Sequence, residues 1–123
     1  MYATNLSRRG WNVQATSRNA RGIDLTAYDQ SGKHHITVQV KALSKQVNVP
    51  VGNDDNLIAD YVVVCVDALD RHPKCYVVKA QQITDGLIGF KGKKDGKYWL
   101  PTKAYMDAKF LDDLPIPDMR NNI

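Results

Sequence analysis

Three side chains in this sequence have types and spacing suited to phosphoryl chemistry: Asp24, Gln39 and Lys41, in the pattern D-x14-Q-x-K. A carboxylate and an amide oxygen are hard donors. Mg²⁺ takes one or two such groups from a protein and the rest from water and substrate phosphate. An ammonium beside them orients an attacking water, lowers its pKa, or stabilises charge on the phosphate. That chemistry requires all three groups on one surface, so the elements that carry them decide the question.

Residues 22–41 read as two alternating strands around a turn. Strand side chains alternate faces with period two. Ile23, Leu25 and Ala27 share one face, and Asp24, Thr26 and Tyr28 the other. In the second strand Ile36, Val38, Val40 and Ala42 are apolar, opposite Thr37, Gln39 and Lys41. Ser31-Gly32 marks the turn, because Gly takes the positive φ that tight hairpins need. Centring the turn there sets Gln30 against Lys33, Leu25 against Val38 and Asp24 against Gln39. A slip of one residue would send the polar set to the wrong face, so the register is well specified. It gathers Asp24, Gln39 and Lys41 at one end of one face. The alternative reading of that face is a set of solvated side chains with Asp24 as a turn or edge residue.

On these residues the chain resembles the PD-(D/E)XK nuclease superfamily, in a Gln-x-Lys variant of its motif, over residues 5–80. The resemblance implies Asp24 as the first acidic ligand, Gln39 at the (D/E) position and Lys41 as the motif lysine. It implies Mg²⁺ or Mn²⁺ held by Asp24, the Gln39 amide oxygen and the Val40 carbonyl. It further implies metal-dependent hydrolysis of phosphodiester bonds, with DNA as the expected polymer, and dimers are frequent among such small catalytic domains. The implied architecture is α/β (α+β): a restriction-endonuclease-like mixed central β-sheet flanked by helices. Three features depart from the pattern. Ile23 stands where Pro is common, and Gln39 removes one negative charge. The stretch Met1–Arg9 carries no acid, and the whole chain no Glu, where the family often has an acidic residue on a longer first helix. Either this branch lacks that residue or the chain begins downstream of the family's usual start.

Those departures support a rival from another class. It is a nuclease-fold module that binds nucleic acid or a protein partner without cutting, within a restriction, repair or toxin assembly. Loss of metal-dependent cleavage in Lys41→Ala separates the two.

The remaining basic residues form a second tier. Arg18 and Arg21 lie in the polar loop leading into Asp24, and guanidinium forks match phosphate oxygens. Ser44 and Lys45 follow the motif lysine and are candidates to face substrate. Lys91, Lys93 and Lys94 lie in a glycine-rich basic loop that can contact a nucleic-acid backbone without reading sequence. In each case the plain alternative is a solvated loop or strand end. His34, His35 and His72 read as surface residues, and Asp54-Asp55 as a cap or loop.

The elements expected in order are a short helix ended by Gly10, a strand at residues 11–15, the hairpin, and an extended connector at residues 47–52. Pro50 argues against a central strand there. A buried β-branched strand at residues 60–67 and its return at residues 75–78 follow. A modest helix at residues 79–88, a short strand at Tyr98-Trp99-Leu100 and a helix capped by Thr102 and running to Leu111 complete the set. Residues 1–118 read as one nuclease-like domain and residues 119–123 as a frayed tail. The net charge of +4 favours an anionic partner. No apolar run approaches the about 20 residues of a membrane span, and no secretory signal is visible, so a cytoplasmic location without membrane contact is expected. Cys65 and Cys75 lie on successive strands. A bridge between them is open geometrically, and buried free thiols are the expectation under cytosolic redox conditions.

Overall fold

The computed structural model describes residues 6–15, 23–54, 57–67, 71 and 73–111. Five strands form the central sheet: β1 (Asn12–Ala15), β2 (Leu25–Tyr28), β3 (His35–Ala42), β5 (Tyr61–Val66) and β6 (Lys74–Lys79). Their order is β1-β2-β3-β5-β6. The β3–β5 pair is parallel and the other pairs are antiparallel, so the sheet is mixed. Three further strands, β4 (Val49–Gly52), β7 (Phe90–Lys91) and β8 (Tyr98–Leu100), form a second sheet in the order β4-β8-β7. Two short helices, α1 (Ala80–Thr84) and α2 (Thr102–Tyr105), a 3₁₀ turn at Ala108–Phe110 and a helical stretch at residues 6–8, followed by Gly10 at φ +99°, complete the described elements.

The hairpin register is the one the turn dictates: Leu25 pairs with Val38, Thr26 with Thr37 and Ala27 with Ile36. Gly32 has φ +73°, the positive value expected of it. Asp29 organises the loop. Its buried carboxylate accepts from the Ser31 hydroxyl at 2.7 Å and meets His34 Nδ1 at 2.8 Å.

Both faces of the central sheet are covered, which explains the near-continuous apolar run of β5. One face buries Leu25, Ala27, Val38, Val63, Cys65, Cys75 and Val77 beneath Leu6 and Trp11. The other buries Val62, Val64, Val66, Tyr76 and Val78 against Val49, Val51, Ile83, Leu100 and Tyr105 of the second sheet and the helices. The result is an α+β layer structure whose mixed sheet is flanked by helices, as expected, with a small sheet sharing the flank.

Four expectations need correction. The connector at residues 47–52 contains β4, and Pro50 is tolerated because β4 lies at an edge of its sheet. The last helix is broken at Met106 (φ −79°, ψ 62°), and its apolar spacing is divided between α2 and the 3₁₀ turn. Thr102 makes no side-chain cap, because its hydroxyl and its N–H both go to Asn48 Oδ1. Finally, Cys65 and Cys75 form a disulfide rather than free thiols. They stand directly opposite in the β5–β6 ladder, with Cα atoms 4.0 Å apart and both side chains on one face. Strand register brings the sulfurs together, and compartment-based reasoning does not see register.

Candidate active site

Asp24 sits immediately before β2, one position beyond the Leu25–Val38 pair, and so beside Gln39. Two backbone bonds hold it there. Its own N–H donates to the Val38 carbonyl at 2.9 Å. The Val40 N–H donates to its Oδ2 at 2.7 Å. A carboxylate that accepts a main-chain N–H in this way is fixed against the strand rather than swinging in solvent.

Gln39 is buried, at 8% exposure, although glutamine is mostly a surface residue. The reason is topological. β3 lies between β2 and β5, and Gln39 pairs with Val62, whose face lies under the second layer. Its Oε1 has no hydrogen-bond partner. A buried acceptor left unpaired costs about 1–3 kcal/mol, so a native one calls for an explanation. Lys41 is half-buried on the same face, two residues further along β3.

Val40 lies between them with its side chain toward the opposite face. Its N–H reaches Asp24, and the C=O of a strand residue points to the same side as its N–H. Asp24 and Gln39 thus share one face, and the Val40 carbonyl points to the side of β3 on which Asp24 sits. That all-oxygen donor set fits a hard divalent cation with few protein ligands, as Mg²⁺ prefers. The unpaired Gln39 Oε1 supports the fit. Among the described residues, no three His, Cys, Asp or Glu side chains converge as a metal group.

The second-tier residues divide. Ser44 and Lys45 are exposed just past the end of β3, beyond Lys41. Arg18 and Arg21 lie outside the described residues. Lys93 and Lys94 are exposed in the turn between β7 and β8. Lys91 is engaged elsewhere: its ammonium pairs with Asp54 at 2.9 Å and lies 5.4 Å from the centre of the Tyr98 ring. The Tyr98 hydroxyl also donates to Asp54. That hydroxyl first, and Lys91 second, hold the Asp54 carboxyl below its usual range; the same carboxylate holds Lys91 and Tyr98 above theirs.

This clamp joins residues 44 apart in sequence and had no local signal. The Asp29–Ser31 contact did have one, since Asp commonly bonds groups two residues on. His34 and His35 are exposed, as expected of surface residues, and His34 serves Asp29. A reciprocal pair ties the start of β5 to β3: the Thr37 N–H donates to Asp60 Oδ2 and the Asp60 N–H to Thr37 Oγ1, both at 2.9 Å. Two surface clefts of about 510 and 550 Å³ are bordered by Trp11 and Tyr28, and by His35, Asp60 and Lys79. Neither is lined by Asp24, Gln39 or Lys41.

No family model matches the chain, and no curated protein matches it. Among solved structures the chain is similar to Archaeoglobus fulgidus Hjc, a Holliday junction resolvase from an archaeal hyperthermophile. The TM-score is 0.58 over 85% of this chain and 88% of that one, with 14% sequence identity. At that identity the likeness shows the fold alone. The fold is resolvase-like and restriction-endonuclease-like, the architecture implied by the hairpin motif.

Proposed function

We propose that this protein is a metal-dependent nuclease that hydrolyses phosphodiester bonds, with DNA as its polymer. The observation that carries the reading is the unpaired Oε1 of buried Gln39, beside a backbone-anchored Asp24 and on one face with Lys41. The fold likeness supports it.

Asp24, the Gln39 amide oxygen and the Val40 carbonyl would hold Mg²⁺ or Mn²⁺. When bound, that ion polarises the scissile phosphate and lowers the pKa of a coordinated water. The chain's own contribution is positional. The Val40 N–H keeps the Asp24 carboxylate turned toward β3. Burial keeps the Gln39 amide from swinging to solvent. Lys41 orients the attacking water or stabilises charge on the phosphate. Because Gln39 brings no charge, substrate phosphate supplies part of what a second acid would provide. Ser44 and Lys45 continue the surface past the end of β3, and Lys93 and Lys94 serve as backbone contacts. Arg18 and Arg21 are assigned to substrate phosphates from their place in the sequence before Asp24. A homodimer and a cytoplasmic setting belong to the same reading. In the described residues no helix is long and apolar enough to cross a membrane.

Cleavage of supercoiled and linear DNA, a four-way junction and RNA tests the proposal, with Mg²⁺, Mn²⁺ or EDTA. The wild-type protein cuts with metal only, and Asp24→Ala and Lys41→Ala lose at least about a hundredfold in rate. Metal-dependent cutting that survives in both variants sinks the assignment. The second reading, a module that binds without cutting, draws on the single carboxylate and the Gln at position 39. Binding with no cleavage under any metal condition establishes it instead.

A further inference from the structure

The second sheet turns one face to the core and leaves the other outside. Val49, Val51, Tyr98 and Leu100 point inward and are buried. Strand alternation puts their neighbours on the outer face, and the register aligns three of them in a row: Pro50 opposite Trp99, and Trp99 opposite Phe90. Pro50 is exposed, Trp99 is half-buried, and Phe90 is 52% exposed, high for so large an apolar side chain. Neighbouring strands lie about 4.8 Å apart, so the two side chains stand side by side on that face as a short aromatic strip.

The strip is held in place. The Trp99 indole N–H donates to Asp95 Oδ2 at 3.4 Å, and Asp95 Oδ1 accepts from the Lys97 N–H at 2.9 Å. Gly89 allows β7 to approach, because a Cβ there would collide with the Trp99 carbonyl. The Asp54–Lys91–Tyr98 clamp ties the hairpin to the residues that follow β4. The turn beside the strip carries Lys93, Lys94 and Lys97, all exposed. Asp95 is the acid of that turn, and both its oxygens are occupied by the contacts just named.

Exposed aromatic faces next to clustered lysines suit a flexible polyanion with unpaired aromatic bases. Every base has a face that stacks on an aromatic side chain, and lysines follow the phosphates. A duplex keeps its base faces inside its own stack and has nothing to offer the rings. The core of a protein–protein interface is depleted in lysine, which disfavours a protein as the occupant. We propose that the Phe90–Trp99 row is a stacking platform for single-stranded nucleic acid, with Lys93, Lys94 and Lys97 against its backbone.

This surface does not depend on the nuclease reading, so it is tested with EDTA present. The full-length protein is titrated with labelled oligo(dT), oligo(U) and a duplex of equal length, while tryptophan emission is followed. Single strands bind more tightly than duplex and quench Trp99, whereas buried Trp11 keeps its emission. Phe90→Ala and Trp99→Ala each weaken single-strand binding by about tenfold, and Phe90→Tyr restores it. Lys93→Ala with Lys94→Ala flattens the dependence of log affinity on log salt by about 1.4. Phe90 is exposed, so its variants keep the wild-type melting midpoint even if Trp99→Ala does not fold. Unchanged affinity in Phe90→Ala overturns the proposal, as does equal binding of duplex. So does a change of oligomeric state in Phe90→Ala with no change in oligonucleotide affinity, which makes the row a protein interface.

Discussion

Gln39 is the residue whose environment and chemistry conflict most openly. Burial without a partner makes its amide oxygen a cost to folding, and a cation at the Asp24 edge would relieve it. Two substitutions separate these roles. Gln39→Leu removes the unpaired acceptor at similar volume and should raise stability by about 1 kcal/mol in urea melts while abolishing cleavage. Gln39→Glu sets a second carboxylate beside Asp24. It should melt lower than wild type in EDTA and gain more from Mn²⁺, because bound metal stabilises the folded state in proportion to its affinity. Asp29 provides a pH test at the other end of the hairpin. Its hydrogen bond from Ser31, followed by those from His34, lowers its pKa from 3.8 despite burial. A carboxyl depressed in the native state contributes stability that is fully present above the unfolded value and lost as pH falls through the native one. Urea midpoints measured from about pH 5 down to about pH 2 should therefore fall more steeply in wild type than in Asp29→Asn. Equal slopes would mean that the Asp29 network does not stabilise the charged form.

At the scale of elements, β3 does most to position the candidate site residues. It pairs antiparallel with β2 on one side and parallel with β5 on the other, so its polar face begins at an open hairpin and ends beneath a second layer. That position exposes Asp24 while burying Gln39. Period two alone places both on one face, but it cannot say that another sheet covers half of it. The same limit explains Lys91. Its type and loop suggested a free cation, whereas alternation within β7 turns it toward Tyr98 and Asp54. The final helix failed for a related reason: Tyr105 sends its hydroxyl to the Val47 carbonyl at 2.7 Å, and Asn48 takes the Thr102 N–H. Those tertiary bonds override a spacing that favoured a longer helix. The β7–β8 hairpin gives the element-scale prediction. Gly89 has φ +79° and no room for a Cβ beside Trp99, so Gly89→Ala should destabilise by more than about 1 kcal/mol in thermal or urea melts. Gly32, also at positive φ but in open space, should tolerate Ala better.

For the whole molecule, the Cys65–Cys75 bridge joins β5 to β6, the last strand of the central sheet, across a sequence separation of 10. Reduction, or the double change Cys65→Ala with Cys75→Ala, should lower stability by about 2–4 kcal/mol through the larger freedom of the unfolded chain. A melting midpoint insensitive to dithiothreitol, with thiol titration showing both cysteines reduced, would contradict this. The resolvase-like fold was legible from the hairpin because its register rests on short-range rules: Ser31-Gly32 turns the chain, and alternation assigns every side chain to a face. Those rules also aligned Asp24, Gln39 and Lys41, and they identified β5 from its unbroken β-branched run. The parallel β3–β5 pairing, the second sheet over Val62 and Val64, the burial of Gln39, the capture of Lys91 by Asp54 and the cysteine bridge came only with the tertiary structure. Each depends on residues distant in the chain being packed together, and no local periodicity encodes which distant partner a strand will meet.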